Sequence, residues 1–162
     1  MTAQVTEKLL FRGEILNMCC EPLGPYLRQT KKIFNYSEIS SACWRGYRGT
    51  WEFIDNHLYL VNIRAKIYTA SGERAVTLQD YFPDAQNQVF AHWFTGEIRC
   101  TKGALLEYVH GGYASTYEED LFFECKAGIL VGERIVINGN DEKGLPTGAV
   151  IAGYMTSPNN RI

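Results

Sequence analysis

The sequence predicts a mainly β protein, in which an antiparallel meander curls into a barrel or half-barrel with at most short helices. Aromatic residues make up 13% of the 162-residue chain and 15 residues are glycine, a composition typical of curved, turn-rich sheets. Short segments with a two-residue hydrophobic period recur along the chain, and Gly, Asn and Asp separate them. The pattern leaves one alternative open, an α+β sheet with one helix covering a face.

The clearest element is a β-hairpin within residues 44–64. In its first strand apolar Trp51 and Phe53 alternate with polar residues, which is the period of a strand with one buried face. Asp55 and Asn56 then tolerate positive φ angles, which predicts a tight turn before the second strand. The polar positions of the first strand are Arg48, Thr50 and Glu52.

Two glycines, Gly46 and Gly49, interrupt this first strand. Glycine weakens a strand unless the backbone bulges, bends or is approached closely by another segment. A bend in a strongly curved sheet is the interpretation that the sequence favours.

The segments around the hairpin are less regular. Residues 9–18 predict a strand pair, or one bent strand, around Gly13. Pro25 suits the first turn of a short helix, because its φ angle is already helical and its missing N–H needs no partner there. Thr77 and Asp80 have the spacing of a capping box, which predicts one further helical turn.

The second half of the chain repeats the strand and turn pattern. Residues 89–100 predict one strand, and residues 104–110 predict another. Residues 121–137 predict a second hairpin, with its turn at Ala127 and Gly128.

The chain divides into a single β-rich domain, residues 1–138, and a C-terminal extension, residues 139–162. The extension begins with the Asn, Gly, Asp, Lys and Pro residues of a flexible linker and continues with the apolar run AVIAGYM. The alternatives for this arm are a loosely held tail and an added strand. Such a strand would join its own sheet or that of a neighbouring molecule, and the latter would give a homo-oligomer.

Charge and cysteine content limit the classes of function. The net charge of -2 and the pI near 5.9 argue against nucleic acid or a membrane surface as a partner. The chain has no long apolar run, and its first residues lack the apolar core of a secretory signal. Five cysteines without a CxxC pair indicate free thiols rather than disulfides or a zinc site, so we expect a cytoplasmic protein.

No motif of known chemistry occurs. The sequence contains no GxSxG, no GxxxxGK[ST] and no GxGxxG, and none of its three histidines has a second ligand at metal-binding spacing. We therefore expect no catalytic residue, no metal and no cofactor. A small enzyme with Glu52 or Glu97 as general base is the least favoured alternative.

A candidate ligand site consists of aromatic and charged residues on predicted strand faces. This mixture is typical of a ligand cleft, although cross-strand ion pairs on a wet surface would explain the charged members. His110 precedes two glycines, which would let a ligand approach the backbone. The candidate ligand-binding residues are Arg48, Trp51, Glu52, Trp93, Glu97, Arg99, Tyr108 and His110.

Three long motifs carry a resemblance to a known family. They are SACWRGYRGTWEF with LYLVNI, VFAHWFTGEIR, and YVHGGYASTYEEDLFF, and the resemblance around them covers residues 9–136. With them the chain resembles a family of short uncharacterised bacterial proteins, some of which are similar to integron gene cassette proteins. The resemblance implies a shared fold and surface and assigns no catalytic residue.

Two functions are therefore compared. The first is a non-enzymatic binding module whose concave sheet face takes a small molecule or peptide. The alternative is a protein-interaction, inhibitor or immunity-type accessory protein of mobile gene cassettes, which acts through a flat surface or the C-terminal arm.

Overall fold

A computed structural model describes residues 2–139 and the backbone of one later strand, and it is mainly β. A large sheet, largely antiparallel, closes in a ring, as the predicted curvature requires. The strands are β1 (Glu7–Phe11), β2 (Glu14–Met18), β3 (Arg48–Ile54), β4 (His57–Arg64), β5 (Lys66–Thr69), β6 (Gly72–Ala75), β7 (Val89–Phe90), β8 (Gly96–Glu107), β9 (Thr116–Lys126), β10 (Ile129–Ile137) and β11 (Ala149–Gly153), and the helices are α1 (Leu23–Thr30) and α2 (Leu78–Tyr81). Neither of these two described helices is long and apolar enough to cross a membrane.

The ring contains seven strands in the order β10-β9-β8-β2-β1-β3-β4, and a pairing of β10 with β4 closes it. β7 and β11 flank the ring on β4 and β10. The ring pairings are antiparallel except that of β1 with β3, which is parallel. The order departs from a simple meander because the N-terminal hairpin β1–β2 is inserted between the two hairpins that the sequence identifies.

Both of those hairpins are confirmed at their predicted turns. β3 pairs with β4 across Asp55 and Asn56, whose φ angles are 49° and 62°. β9 pairs with β10 across Ala127 and Gly128, whose φ angles are 48° and 78°. Positive φ at both central residues gives the two-residue turn whose twist matches the flanking strands.

The segment around Trp93 differs from the single strand predicted for residues 89–100. Strand β7 ends at Phe90, and a turn in which the Phe94 N–H donates to the Ala91 carbonyl precedes β8. The chain is held in this turn because the Gly128 N–H donates to the Phe94 carbonyl at 2.7 Å. β8 continues to Glu107 and so includes most of the separate strand predicted for residues 104–110. β5 and β6 form an additional small hairpin outside the ring.

The hydrophobic core lies inside the ring. In β1 and β2 the buried inward residues alternate with exposed or half-buried ones, as the two-residue period requires. The largest side chains that are fully buried are Trp51, Tyr81, Phe123, Leu9, Met18, Leu23, Leu58, Leu60, Ile98 and Leu130.

The C-terminal extension is described only in part. Strand β11 pairs antiparallel with β10 of the same chain, from Gly153 opposite Glu133 to Ala149 opposite Ile137. The described arrangement is therefore the added strand on its own sheet. The predicted linker from residue 140 to 148 and the end of the arm, residues 154–162, lie outside the described residues.

Asp80 forms the predicted capping box of α2. Its carboxylate accepts a hydrogen bond from the Thr77 N–H at 2.8 Å and forms a bidentate pair with Arg74 at 2.8 and 2.9 Å. The hydrogen bond from Arg74 makes the largest contribution to lowering the pKa of Asp80, which falls to about 2. Asp80 therefore makes the stability of this turn dependent on pH.

We expect Asp80→Asn to lower the free energy of unfolding by about 1 kcal/mol at pH 7, the usual value of a helix cap. The pKa of this carboxyl is lower in the folded than in the unfolded chain. Its stabilisation is therefore present above about pH 4 and disappears as the pH falls towards 2. Thermal unfolding at both ends of this range measures the effect. Asp84→Asn, at the exposed position beyond the helix, is the control. A difference in stability between Asp80→Asn and wild type that stays the same at low pH would contradict the prediction.

Candidate functional site

Three of the eight predicted site residues lie on β3, and only two of them are accessible. Arg48 is exposed and Glu52 is half-buried. Trp51 is fully buried, and its indole N–H donates to the Glu7 carboxylate at 2.8 Å. Trp51 therefore belongs to the core of the ring.

Trp93 lies in the turn before β8 and packs outside the ring strands. Its indole N–H donates to the Pro22 carbonyl at 2.7 Å. Its ring centroid is 4.9 Å from that of Tyr26 and 5.5 Å from that of Phe82. These contacts attach α1 to the segment that follows α2.

Glu97 and Arg99 lie on the outward face of β8, and each has a cross-strand partner. Glu97 accepts hydrogen bonds from Arg134 at 3.1 and 3.2 Å. Arg99 donates to Asp120 at 2.9 Å and to the Ser115 carbonyl at 3.0 Å. Strands β1 and β2 separate β8 from β3, so these charges do not form one cleft with those of β3.

Tyr108 and His110 follow the end of β8 and are both exposed. Their rings meet edge to face, with centroids 5.1 Å apart. The structure thus brings Tyr108 together with His110 and places Glu97 and Arg99 on one face of β8. The predicted site residues on β3 and the side chain of Trp93 lie apart from both pairs.

A different cleft opens at one end of the ring interior, and we name it the mouth cleft. Its volume is about 190 Å³. Apolar side chains form its floor, and charged side chains surround its opening. Its lining residues include Phe11, Leu16, Leu121, Phe123 and Ile135 on the floor, with Arg12, Glu14, Lys102 and Glu133 at the rim.

Strand register explains why these residues face inward. In the pairing of β9 with β10, Leu121 lies opposite Ile135 and Phe123 lies opposite Glu133. Phe123 is 1% exposed, so this face is the inside of the ring. Cross-strand partners share a face, and Glu133 is therefore a carboxylate on the face of a strand that otherwise builds the core.

The floor of the mouth cleft rests on three aromatic rings. The centroid of Phe11 is 5.8 Å from that of Phe53 and 4.8 Å from that of Phe123, in edge-to-face arrangements. The Phe53 and Phe123 centroids are 5.7 Å apart. Aromatic contacts of this geometry are favourable, and they give the floor a defined shape.

Two ion pairs cross the rim of the mouth cleft. Arg12 lies 3.4 Å from Glu133 Oε1, and Lys102 lies 3.0 Å from Glu14. The second carboxylate oxygen of Glu133, Oε2, is buried and has no hydrogen-bond partner among the described residues. Buried polar atoms are nearly always hydrogen-bonded, so this oxygen is an acceptor that a bound molecule could use.

Sequence reasoning missed Glu133 because of a β-bulge. The register of β10 shifts between Leu130 and Gly132. A strict two-residue period from Leu130 would place Gly132 and Arg134 inside and Glu133 outside. The bulge reverses this order, and the only signal in the sequence is the glycine in the middle of the strand.

A second polar cluster, which we name the Glu7 network, lies buried in the core. Glu7 Oε2 accepts hydrogen bonds from Arg45 Nε at 3.0 Å and from the Gly49 N–H at 2.8 Å, and Oε1 accepts the bond from Trp51. Burial raises the pKa of the Glu7 carboxyl, while Arg45 and these donors act in the opposite direction. Both oxygens are occupied, so Glu7 holds β1 against β3 and is not free to act as a base.

The Glu7 network also explains Gly49. A Cβ atom at this position would lie 2.6 Å from Glu7 Oε1 and 2.7 Å from Trp51 Nε1. Gly49 is therefore required by the close approach of side chains from β1 and from its own strand, and a bend is not its principal reason.

Four of the five cysteine thiols are poor nucleophiles in this fold. All five are free. Burial raises the pKa of the Cys19, Cys20 and Cys100 thiols and that of the Cys125 thiol, which rises to about 12. Within residues 2–139, no group of three His, Cys, Asp or Glu side chains is placed to hold a metal ion.

Comparison with known proteins adds no relative. No family model matches the chain, and no curated protein or solved structure is significantly similar to it. The resemblance to short bacterial proteins with integron-cassette members stays a prediction from the sequence motifs. The geometry of the mouth cleft is therefore the basis for inferring function.

Proposed function

We propose that the protein is a binding module without catalytic activity, which holds a small organic molecule in the mouth cleft. The observation that carries the proposal is an aromatic-floored cleft of about 190 Å³ next to the unpartnered oxygen of Glu133. A cavity of about 150 Å³ is large enough for benzene, and drug-sized ligands need roughly 300 Å³ or more. The fitting ligand is therefore a single ring or a short aliphatic chain.

The rim selects for a hydrogen-bond donor. Arg12 and Lys102 are each engaged by a carboxylate, so the positive charges of the rim are compensated. Glu133 Oε2 is the buried acceptor that lacks a donor in the described chain. A hydroxyl or ammonium group on the ligand would supply the donor, whereas a carboxylate would be repelled by Glu133.

The composition of the mouth cleft supports binding rather than catalysis. Its lining consists of Phe, Leu, Ile, Arg, Lys and Glu side chains. No serine, cysteine or histidine is among these lining residues, and its carboxylates Glu14 and Glu133 each face a cationic partner. A hydrolytic or acid–base site would need an activated nucleophile or a poised base at this place.

A cytoplasmic location is part of the proposal. The five cysteines are unpaired, which suits a compartment that keeps thiols reduced. Cys43, Cys100 and Cys125 are buried, which protects them from adventitious oxidation.

Three compounds that share one ring test the ligand chemistry: benzyl alcohol, benzylammonium and benzoate. We expect the alcohol and the ammonium compound to shift the backbone amide resonances of Leu121 and Ile135 saturably, with a Kd on the order of 1 mM, as suits ligands of this size. Benzoate should bind several-fold more weakly because it offers no donor to Glu133. A titration by two-dimensional NMR measures all three.

Two variants of β9 provide the matched pair. Leu121→Trp fills the mouth cleft and should abolish the saturable shifts. Glu124→Trp introduces the same side chain at an outward-facing position of β9 that does not line the cleft, and should leave binding unchanged. If none of the probes binds, or if Leu121→Trp binds them as well as wild type, the proposed function is wrong.

A further inference from the structure

A second cleft lies on the outer surface where β3 begins and β4 ends, and we name it the arginine cleft. Its volume is about 250 Å³, and its lining includes Arg48, Arg64, Ser40, Glu38 and Tyr47. The register of the hairpin places Arg48 directly opposite Arg64. Two guanidinium groups therefore border one cleft.

The arginine cleft and the mouth cleft lie towards opposite ends of strand β1. Thr50, two residues after Arg48, lies opposite Lys8 in the parallel pairing of β1 with β3. The mouth cleft begins at Phe11, at the other end of β1. A ligand in one cleft does not occupy the other, so this inference is independent of the function proposed above.

Among the described residues, Arg48 and Arg64 have no acidic partner. Neither side chain makes an ion pair or a hydrogen bond with any residue in the described part of the chain. Like charges directly opposite each other destabilise a strand pair, and Arg48 lies directly opposite Arg64. The two positive charges are together although the chain as a whole has a net charge of -2. The arrangement lowers the stability of the hairpin unless an anion neutralises it.

The surroundings leave the cleft positive. Its lining acid, Glu38, is 62% exposed and lies 3.5 Å from the Lys66 ammonium group. Glu38 is therefore already paired with a cation, and the charges of Arg48 and Arg64 remain in excess. The Ser40 side chain at the cleft adds a hydroxyl donor.

We propose that the arginine cleft binds the phosphate group of a small molecule. A guanidinium group presents two parallel N–H donors, which match the spacing of two oxygens on an oxyanion. A phosphate monoester carries a charge of about −1.5 to −2 at pH 7, which two arginines neutralise, whereas one carboxylate neutralises only one of them. The cleft thus favours phosphate over carboxylate.

Inorganic phosphate and acetate are the probes for this inference, with chloride at equal ionic strength as the reference. We expect phosphate to shift the side-chain Nε–H resonances of Arg48 and Arg64 saturably in the NMR spectrum. Acetate should bind about tenfold more weakly, because it carries one charge. Equal, unsaturable shifts with phosphate and chloride would show ionic screening only and would overturn the inference.

Matched variants separate binding from net charge. Arg48→Gln and Arg64→Gln should each weaken phosphate binding about tenfold or more. Arg28→Gln removes the same charge from an exposed position on α1 outside the cleft and should leave the affinity unchanged. An equal loss with Arg28→Gln would overturn the inference. Benzyl alcohol binding at the mouth cleft should be the same in all three variants, so failure of one site is distinguishable from failure of the other.

Discussion

Glu7→Ala is expected to lower the free energy of unfolding by about 3 to 5 kcal/mol, the range found when one member of a buried ion pair is removed. The Arg45 side chain is only 7% exposed, so its charge would remain in the core with Glu21, whose carboxylate lies 3.9 Å away, as a more distant counterion. The Gly49 N–H and the Trp51 indole N–H would lose their acceptor in the same step. Each unsatisfied buried donor adds to the loss of stability.

Urea unfolding of wild type and variant measures this effect. Glu14→Ala is the control, because Glu14 forms an exposed pair with Lys102 and should change stability by less than about 1 kcal/mol. Arg45→Met combined with Glu7→Leu tests the cause. The double variant should lose less stability than the sum of the two single changes, because it leaves no isolated buried charge. A Glu7→Ala protein as stable as the Glu14→Ala protein would contradict the interpretation.

Local signals made the two main hairpins predictable. Asp55 and Asn56 tolerate positive φ angles, and Gly128 adopts one without strain because it has no side chain. Each turn could therefore be identified from two adjacent residues. The alternation of apolar and polar residues fixed which face of β3 is buried. Both the turn residues and the hydrophobic period depend only on residues that are close in sequence, and both are observed in the folded chain.

The polar interactions were not predictable because their partners are distant in sequence. Glu7 lies in the ordinary strand segment EKLLF, and its partner Arg45 is 38 residues further along the chain. Nothing in either segment indicates the other, and the insertion of β1 between β2 and β3 is what brings them together. Glu133 was missed for a related reason, since the bulge in β10 is a property of the pairing rather than of the strand alone.

The predicted site was biased towards conspicuous residues. Trp51 stands out in the sequence because it is large and aromatic, and these properties place it in the core. Glu97 and Arg99 stand out as opposite charges on one face. Arg99 is held by Asp120 on the neighbouring strand β9, and Glu97 is held by Arg134 on β10, one strand further away. The residues that line the mouth cleft are ordinary strand residues, and only the closure of the ring brings them around one space.

Gly128→Ala is expected to lower the free energy of unfolding by about 3 kcal/mol or more, because it acts where the ring closes. A Cβ atom would lie 2.5 Å from the Ala91 carbonyl oxygen, which is backbone, and the φ angle of 78° is unfavourable for alanine. The Gly128 carbonyl accepts the Leu58 N–H at 2.8 Å, and the Leu130 N–H donates to the Asn56 carbonyl at 2.8 Å. These two bonds join β10 to β4, so displacement of Gly128 weakens the closure as well as the turn.

The neighbouring residue provides the control for this effect. Ala127 also has a positive φ, 48°, so Ala127→Gly removes strain without adding an atom. We expect Ala127→Gly to be as stable as wild type or slightly more stable, because relief of strain is offset by the greater freedom of glycine in the unfolded chain. Urea unfolding measures both variants, and amide hydrogen exchange locates the change. Faster exchange at Leu58 and Leu130 in Gly128→Ala alone would show that the ring has opened at β4 and β10, whereas unchanged protection there would mean that this pairing does not depend on the glycine.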